Sequence, residues 1–487
     1  MNNNRYYKKT TSHRLLYFLS PYLFVLMLLT LSSSNGFAAK DWLMKDINLG
    51  ALSSFPNDMV VIENTLYFSA DNGTDGKELW KSDGTINGTV MVMDINTFGD
   101  SYPQKFIQIN NTLYFSADNG TDGQELWKLN LVTGEANMVK DIYVGAGGSR
   151  PHDLVNFNNT LYFVAKDVSN YGELWKSDGT ETGTVMVKDN TVNTSDVEPK
   201  HLTVIGNTLF FTANESGYDL WISDGTESGT KVLKDVCTQP SCGVGDLYSF
   251  SNVNGTLFFV TDDKIHGKEL WKSDGTTDGT ILVKDINTTP GISSSSQPGQ
   301  FTNFNGTLFF TADDGAHGRE LWKSDGTDAG TQLVKDINNN GIEGSSPVDI
   351  TSHNGALFFN ANDGTNGSEL WTSDGTPSGT KMLKDINATG SGSPSGFTTF
   401  NDVFFFGAND GIHGSELWQS DGTEAGTVLV KDINKDGNSY PYSFTSMGET
   451  LFFRADDGTT GYEFWFWGSN SKFYVIPHGN GGTVICL

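Results

Sequence analysis

The stretch GRELWKSDGTDAGTQLVKDI, residues 318–337, decides the fold, because it recurs with small variations nine times along the chain. Its tryptophans fall at Trp80, Trp127, Trp175, Trp221, Trp271, Trp322, Trp371, Trp418 and Trp465, a mean step of about 48 residues, which is the period of propellers and solenoids. A repeat of this size cannot bury a core alone and must stack on its neighbours. The 487 residues are therefore read as one repeat body rather than as several ordinary domains.

Each unit parses into four short strands. The first follows a proline that stands three residues before an apolar residue, as in Pro103/Phe106 and Pro441/Phe444; proline has no N–H for a ladder and is tolerated just ahead of a strand. An Asn-Gly turn or a close relative then leads into the second strand, as at Asn305-Gly306, with the left-handed geometry that two-residue hairpins need. Every second strand carries an aromatic doublet, from Tyr67-Phe68 to Phe452-Phe453. Adjacent strand residues face opposite sides, so both faces of each sheet must be covered. The third strand is ELWKS or a variant, and SDGTxxGT turns into the fourth, QLVKDI. Four antiparallel strands in this length make one propeller blade.

The ends indicate closure. WLMKDI, residues 42–47, matches only a fourth strand, while the last unit stops after its third strand at Trp465 to Trp467. Nine fourth strands and nine sets of the other three then make an all-β propeller of about nine blades, closed by pairing the N-terminal strand with the last blade and leaving no open edge. An open superhelix and an eight-bladed ring with a displaced unit are the alternatives.

Residues 1–38 form a separate object. Arg5, Lys8, Lys9 and Arg14 precede an apolar run from Leu15 to Leu31 and a small, polar stretch ending in Ala38, the pattern of a secretory signal peptide. The expected destination is secreted, periplasmic or cell-surface, with membrane attachment only if the segment stays uncleaved. Residues 39–467 are assigned to the propeller and 468–487 to a C-terminal tail. The formal charge is −27, and without residues 1–38 it is −31. Such a surface repels phosphate backbones and keeps an exported protein soluble. Nucleic acid is excluded as a partner; an unknown protein or a glycan is the expected ligand, and the chain is read as a monomer. Three cysteines do not make a disulfide framework; Cys237 and Cys242 are either bonded or free.

The tandem units ELWKSDGTINGT, ELWKSDGTTDGT, ELWTSDGTPSGT and ELWQSDGTEAGT resemble the repeat of the bacterial ELWxxDGT-repeat proteins over residues 42–467. The resemblance implies an exported bacterial protein with propeller-like blades and transfers no catalytic residue. Lys128-Leu129-Asn130 in place of SDGT, Asp219 in place of Glu, and the ending EFWFWGSN depart from the pattern.

Acids that return in nearly every unit are read as blade grammar, since an active site needs an acid in one particular environment. Asp before Gly in the turns makes an Asx-type bond. DNGTDGKE and DNGTDGQE place Asp71, Asp75 and Glu78, and Asp118, Asp122 and Glu125, in spacings that suit calcium, although Asp75 is replaced by His266, His317 or His413 in other units. No catalytic constellation stands out. The loops between the fourth strand and the next first strand vary most, and loops on a fixed scaffold carry function. There Tyr102, Arg150, His152, Lys200, His201 and Tyr440 are the binding candidates. The expected function is a non-catalytic binding or cell-surface interaction module. The competing expectation is a polysaccharide hydrolase or lyase using carboxylates from different blades at the channel mouth, a close and unequal pair such as Asp100 and Asp153.

Overall fold

A computed structural model describes residues 42–168, 172–188, 198–214, 218–236, 247–289 and 294–468. The expected signal peptide, the C-terminal tail, Cys237, Cys242 and Cys486 lie outside the described residues. The described chain is all-β: nine four-stranded antiparallel sheets arranged as a nine-bladed propeller.

In blade 1 the strands Asn57–Ile62, Thr65–Asp71, Lys77–Ser82 and Val90–Met93 pair in chain order. The other blades repeat this, except that blade 9 is built from both ends of the body. Its first three strands are Tyr442–Met447, Thr450–Asp456 and Tyr462–Gly468, and its fourth is Leu43–Lys45. Leu43 sits opposite Trp465, and the Phe466 N–H donates to the Trp42 carbonyl at 2.9 Å. The first strand of every blade touches the first strand of the next, and that of blade 9 touches that of blade 1. This unbroken cycle closes the ring and makes the first strands its inner wall.

The aromatic doublet explains why blades stack. Phe68 packs with Phe452 and Phe464 of blade 9, whereas Tyr67 packs with Phe115 and Trp127 of blade 2. One sheet thus contributes to two interblade cores, and each fully buried ring contributes roughly 1.5–3 kcal/mol. The lysine of VKDI closes the same joint from outside. Lys45 donates to the Thr89 carbonyl of the next blade at 2.6 Å and lies over Trp80 at 5.7 Å. Lys140 and Lys188 do likewise with Thr184 and Thr230, at 2.9 and 2.8 Å.

The SDGT turn is fixed by its own side chains. Asp83 Oδ1 accepts from the Thr85 N–H at 2.9 Å and from its hydroxyl at 2.7 Å, and the buried Ser82 and Thr89 hydroxyls bond at 2.8 Å. The fourth strands are shorter than the motif QLVKDI suggests: in blade 6 only Gln332–Lys335 is strand. The Asp-Ile that follows leaves the ladder because its backbone is taken by another partner. In blade 2, where Lys128-Leu129-Asn130 replaces SDGT, the third strand runs on to Asn130 and the fourth spans Ala136–Lys140.

Candidate functional site

The glutamate of ELW is that partner. Glu78 is fully buried, and its carboxylate accepts from the Ile95 N–H at 2.8 Å, the Ser101 N–H at 3.0 Å and the Ser101 hydroxyl at 2.6 Å. Glu463 repeats this across the ring closure, with Ile47 at 2.9 Å and Ser54 at 2.8 and 2.7 Å. Glu125, Glu269, Glu320 and Glu416 do the same with Ser149, Ser296, Ser345 and Ser439; in blade 7 the Gly392 N–H takes the serine's place on Glu369 at 2.6 Å. Burial pushes Glu78, Glu269, Glu369, Glu416 and Glu463 up to about 7, against the lowering effect of their donors. These carboxylates tie the end of one blade to the loop that begins the next.

The serine belongs to a motif that the sequence reading saw only in part, Ser-x-Pro. Its middle residue, like Ser393 of the variant Gly392-Ser393-Pro394, is held in the left-handed region and turned out to solvent: Phe55, Tyr102, Arg150, Gln297, Ser346, Ser393 and Tyr440 have φ between 44° and 52°. Such backbone costs roughly 1–3 kcal/mol at each position and persists because the flanking contacts over-determine it. In blade 2 the Ser101 and Tyr102 N–H groups both reach the Lys77 carbonyl, at 3.1 and 3.2 Å. Three binding candidates, Tyr102, Arg150 and Tyr440, are therefore presented at the same place in their blades, each exposed where an inner strand begins.

Two residues after the proline, or after Leu247 in blade 5, the inner strand bulges. Asp58, Lys105, Asp153, His201, Ser249, Gln300, Asp349, Gly396 and Ser443, one from each blade, all have positive φ, and the register shifts around each of them. A bulge re-aims side chains, and here it sets aspartate, lysine, histidine, serine, glutamine and one glycine in register on the channel wall. Neighbours interlock: Asp153 Oδ2 accepts the His201 N–H at 2.8 Å, Gln300 Oε1 the Asp349 N–H at 3.1 Å, and Asp349 Oδ2 the Gly396 N–H at 3.2 Å.

His152, Lys200 and His201 are brought together between blades 3 and 4. His152 Nε2 lies 3.4 Å from Glu198 Oε1, Lys200 Nζ lies 3.5 Å from Glu198 Oε2, and His152 Nδ1 is 3.9 Å from Asp153 Oδ2. Burial alone would lower His152, yet hydrogen bonds and charge from Asp153 and Glu198 hold it at about 9. Burial depresses the neighbouring His201. Asp153, expected only as one of a catalytic acid pair, and Glu198, absent from the expected residues, complete this group; no spacing in the sequence marks Glu198.

The calcium candidates do not converge. Glu78 and Glu125 face the interior joint just described, Asp71 Oδ1 caps the Gly73 N–H at 2.6 Å, and Asp118 caps Gly120 at 2.7 Å. Asp75 Oδ2 accepts from Asn72 Nδ2, and Asp122 Oδ2 from Asn119 Nδ2, each at 2.8 Å. The histidine units hold the same bond with the acid moved to the other side: Asp263–His266, Asp314–His317 and Asp410–His413, at 2.7 to 2.8 Å. The variable position is one half of a loop staple. Among the described residues no group of three or more His, Cys, Asp or Glu side chains is placed to hold a metal ion.

The channel wall opens into a cavity of about 510 Å³ at the inner strands of blades 7, 8, 9 and 1, with Asp58, Asp349, Tyr442 and Ser443 among its lining. No protein-family model matches the chain, and no curated protein matches it. Solved structures similar to it include the computationally designed Ika8 protein, at 14% identity, covering 76% of this chain and 96% of that one with a TM-score of 0.41. A puromycin hydrolase has 13% identity, 77% and 61% coverage and a TM-score of 0.39. A prolyl endopeptidase has 12% identity, 76% and 56% coverage and a TM-score of 0.42. The chain thus spans less than two thirds of the length of either enzyme.

Proposed function

We propose that this propeller is an exported binding or surface-interaction protein with no catalysis of its own, whose ligand is a protein or a glycan met at the channel. One observation carries the reading. The recurring glutamates of ELW, the obvious candidates for acid-base chemistry, are held by backbone and serine donors at the blade joints, whereas side chains that differ from blade to blade line the channel and its mouth.

A scaffold whose repeated glutamates serve its own joints while its channel-lining side chains vary suits recognition better than turnover. The competing reading as a polysaccharide hydrolase requires an unequal carboxylate pair straddling a bond, about 5–10 Å apart. Incubation of the purified protein with soluble neutral and acidic polysaccharides separates the two, with reducing-end release and retardation in affinity electrophoresis measured on the same samples. Retardation without release supports binding. Release of reducing or unsaturated ends that scales with protein concentration overturns it.

A further inference from the structure

We propose that the cavity in the channel wall between blades 7 and 1 is a binding site for a neutral oligosaccharide, with Tyr442 as its stacking platform and Asp58 and Asp349 as acceptors for sugar hydroxyls. This rests on the binding reading above and deepens it by naming the site and the ligand class.

The size comes first: about 510 Å³ falls within the range of small-ligand sites. The opening has a cause in the sequence. Between Asp349 of blade 7 and Asp58 of blade 1, the two intervening bulge positions are occupied by Gly396 and Ser443, the smallest pair of neighbours in the ring. The wall recedes there and leaves a carboxylate on each side.

A tyrosine opens the inner strand in blades 5 and 9, half-buried at Tyr248 and exposed at Tyr442. Tyr442 lines the cavity and is 55% exposed, a large aromatic surface left to a ligand. Behind it stands Arg454, which takes the position held by Ser69 in blade 1 and Ser116 in blade 2. Its guanidinium lies 5.3 Å from the Tyr442 ring and 5.2 Å from the Tyr462 ring. This cation–π clamp orders the ring, so less rotamer freedom is lost on binding. Sugar rings offer an apolar C–H face to such a platform and hydroxyls at their edge.

The polar groups are set in advance. Ser443 Oγ donates to Asn57 Oδ1 at 3.4 Å, and Asn57 Nδ2 donates to Asp58 Oδ2 at 3.1 Å; Asp349 Oδ2 is held by the Gly396 N–H at 3.2 Å. Each carboxylate keeps an oxygen able to accept from a hydroxyl. The charge of Asp58 also acts on Lys77, so it is partly met by the protein. Two carboxylates in a chain of net charge −27 repel uronic acids and sulfated glycans, and the donor set offers no metal site. Neutral, hydroxyl-rich ligands remain.

The test is titration of the whole exported body with cellotriose, maltotriose, chitotriose and trigalacturonate, followed by calorimetry and by tyrosine fluorescence. Binding of at least one neutral trisaccharide is expected, weakened more than tenfold in Tyr442→Ala and in Asp349→Asn with the melting midpoint unchanged, and no binding of trigalacturonate. Unaltered affinity in both variants overturns the site, as does binding of trigalacturonate alone or of none of the four. A neutral sugar whose affinity drops in Arg150→Ala and not in Tyr442→Ala moves recognition to the mouth and leaves the binding reading intact. Cleavage of the trisaccharide overturns that reading while leaving the site.

Discussion

Glu78 shows how a residue with catalytic chemistry becomes a joint. Removing a carboxylate from water raises the cost of its charge, and three donors offset only part of it, so Glu78, Glu269, Glu369, Glu416 and Glu463 stand at about 7. Unfolded glutamate titrates near 4.3. Between these values the native state keeps protons that the unfolded chain releases, so the stabilisation is fully present below about 4.3 and is lost as pH rises through about 7. His152, held at about 9, acts in the same direction at higher pH. Acids held low, such as Asp263 and Asp314, titrate beneath this window. The melting midpoint is therefore expected to fall steadily from pH 5 to pH 8 at constant ionic strength. A flat or rising profile would show that the joints hold fully ionised carboxylates at pH 5.

At the scale of the element, the turn between third and fourth strands depends on its second glycine. A Cβ on Gly330 would collide with the Asp325 carboxylate, whose Oδ1 already accepts from the Thr327 N–H and hydroxyl at 2.9 and 2.7 Å. Gly330→Ala is expected to destabilise by about 1–3 kcal/mol in urea unfolding; a loss below about 0.5 kcal/mol would contradict this account of the turn. Strands, hairpins and doublets were legible in the sequence because each rests on local chemistry repeated nine times. The serine of Ser-x-Pro recurs in six of the nine units, but its importance depends on a glutamate 23 residues earlier, as Ser101 is from Glu78. The bulges were not legible, since residues as different as Asp58, Lys105 and Gly396 occupy them. Tyr442 and Arg454 were invisible as a pair for the same reason: only the sheet register puts them opposite each other. The loop staple was half legible, because Asp–His and Asn–Asp pairs make one geometry with the acid in either place.

The whole molecule depends on a strand of three residues, Leu43–Lys45, for its closure. It covers Phe464, fully buried, and the chain just after it supplies the Ile47 N–H to Glu463. Removing residues 42–47 opens an edge in blade 9 and leaves a buried carboxylate short of a donor. Loss of the single cooperative melting transition and concentration-dependent association on gel filtration are expected; a monomer with an unchanged midpoint would mean that the ring does not need this strand.

The separation between repeated joinery and unrepeated channel chemistry is the claim on which fold and function meet. It is tested most directly by measuring neutral-trisaccharide affinity and melting midpoint side by side for Glu320→Gln and Asp349→Asn. The predicted result is a double dissociation: Glu320→Gln, at a blade joint, lowers stability by about 1.5–3 kcal/mol and leaves affinity unchanged, whereas Asp349→Asn lowers affinity more than tenfold and leaves the midpoint in place. Affinity lost on substituting Glu320 with stability untouched would contradict it.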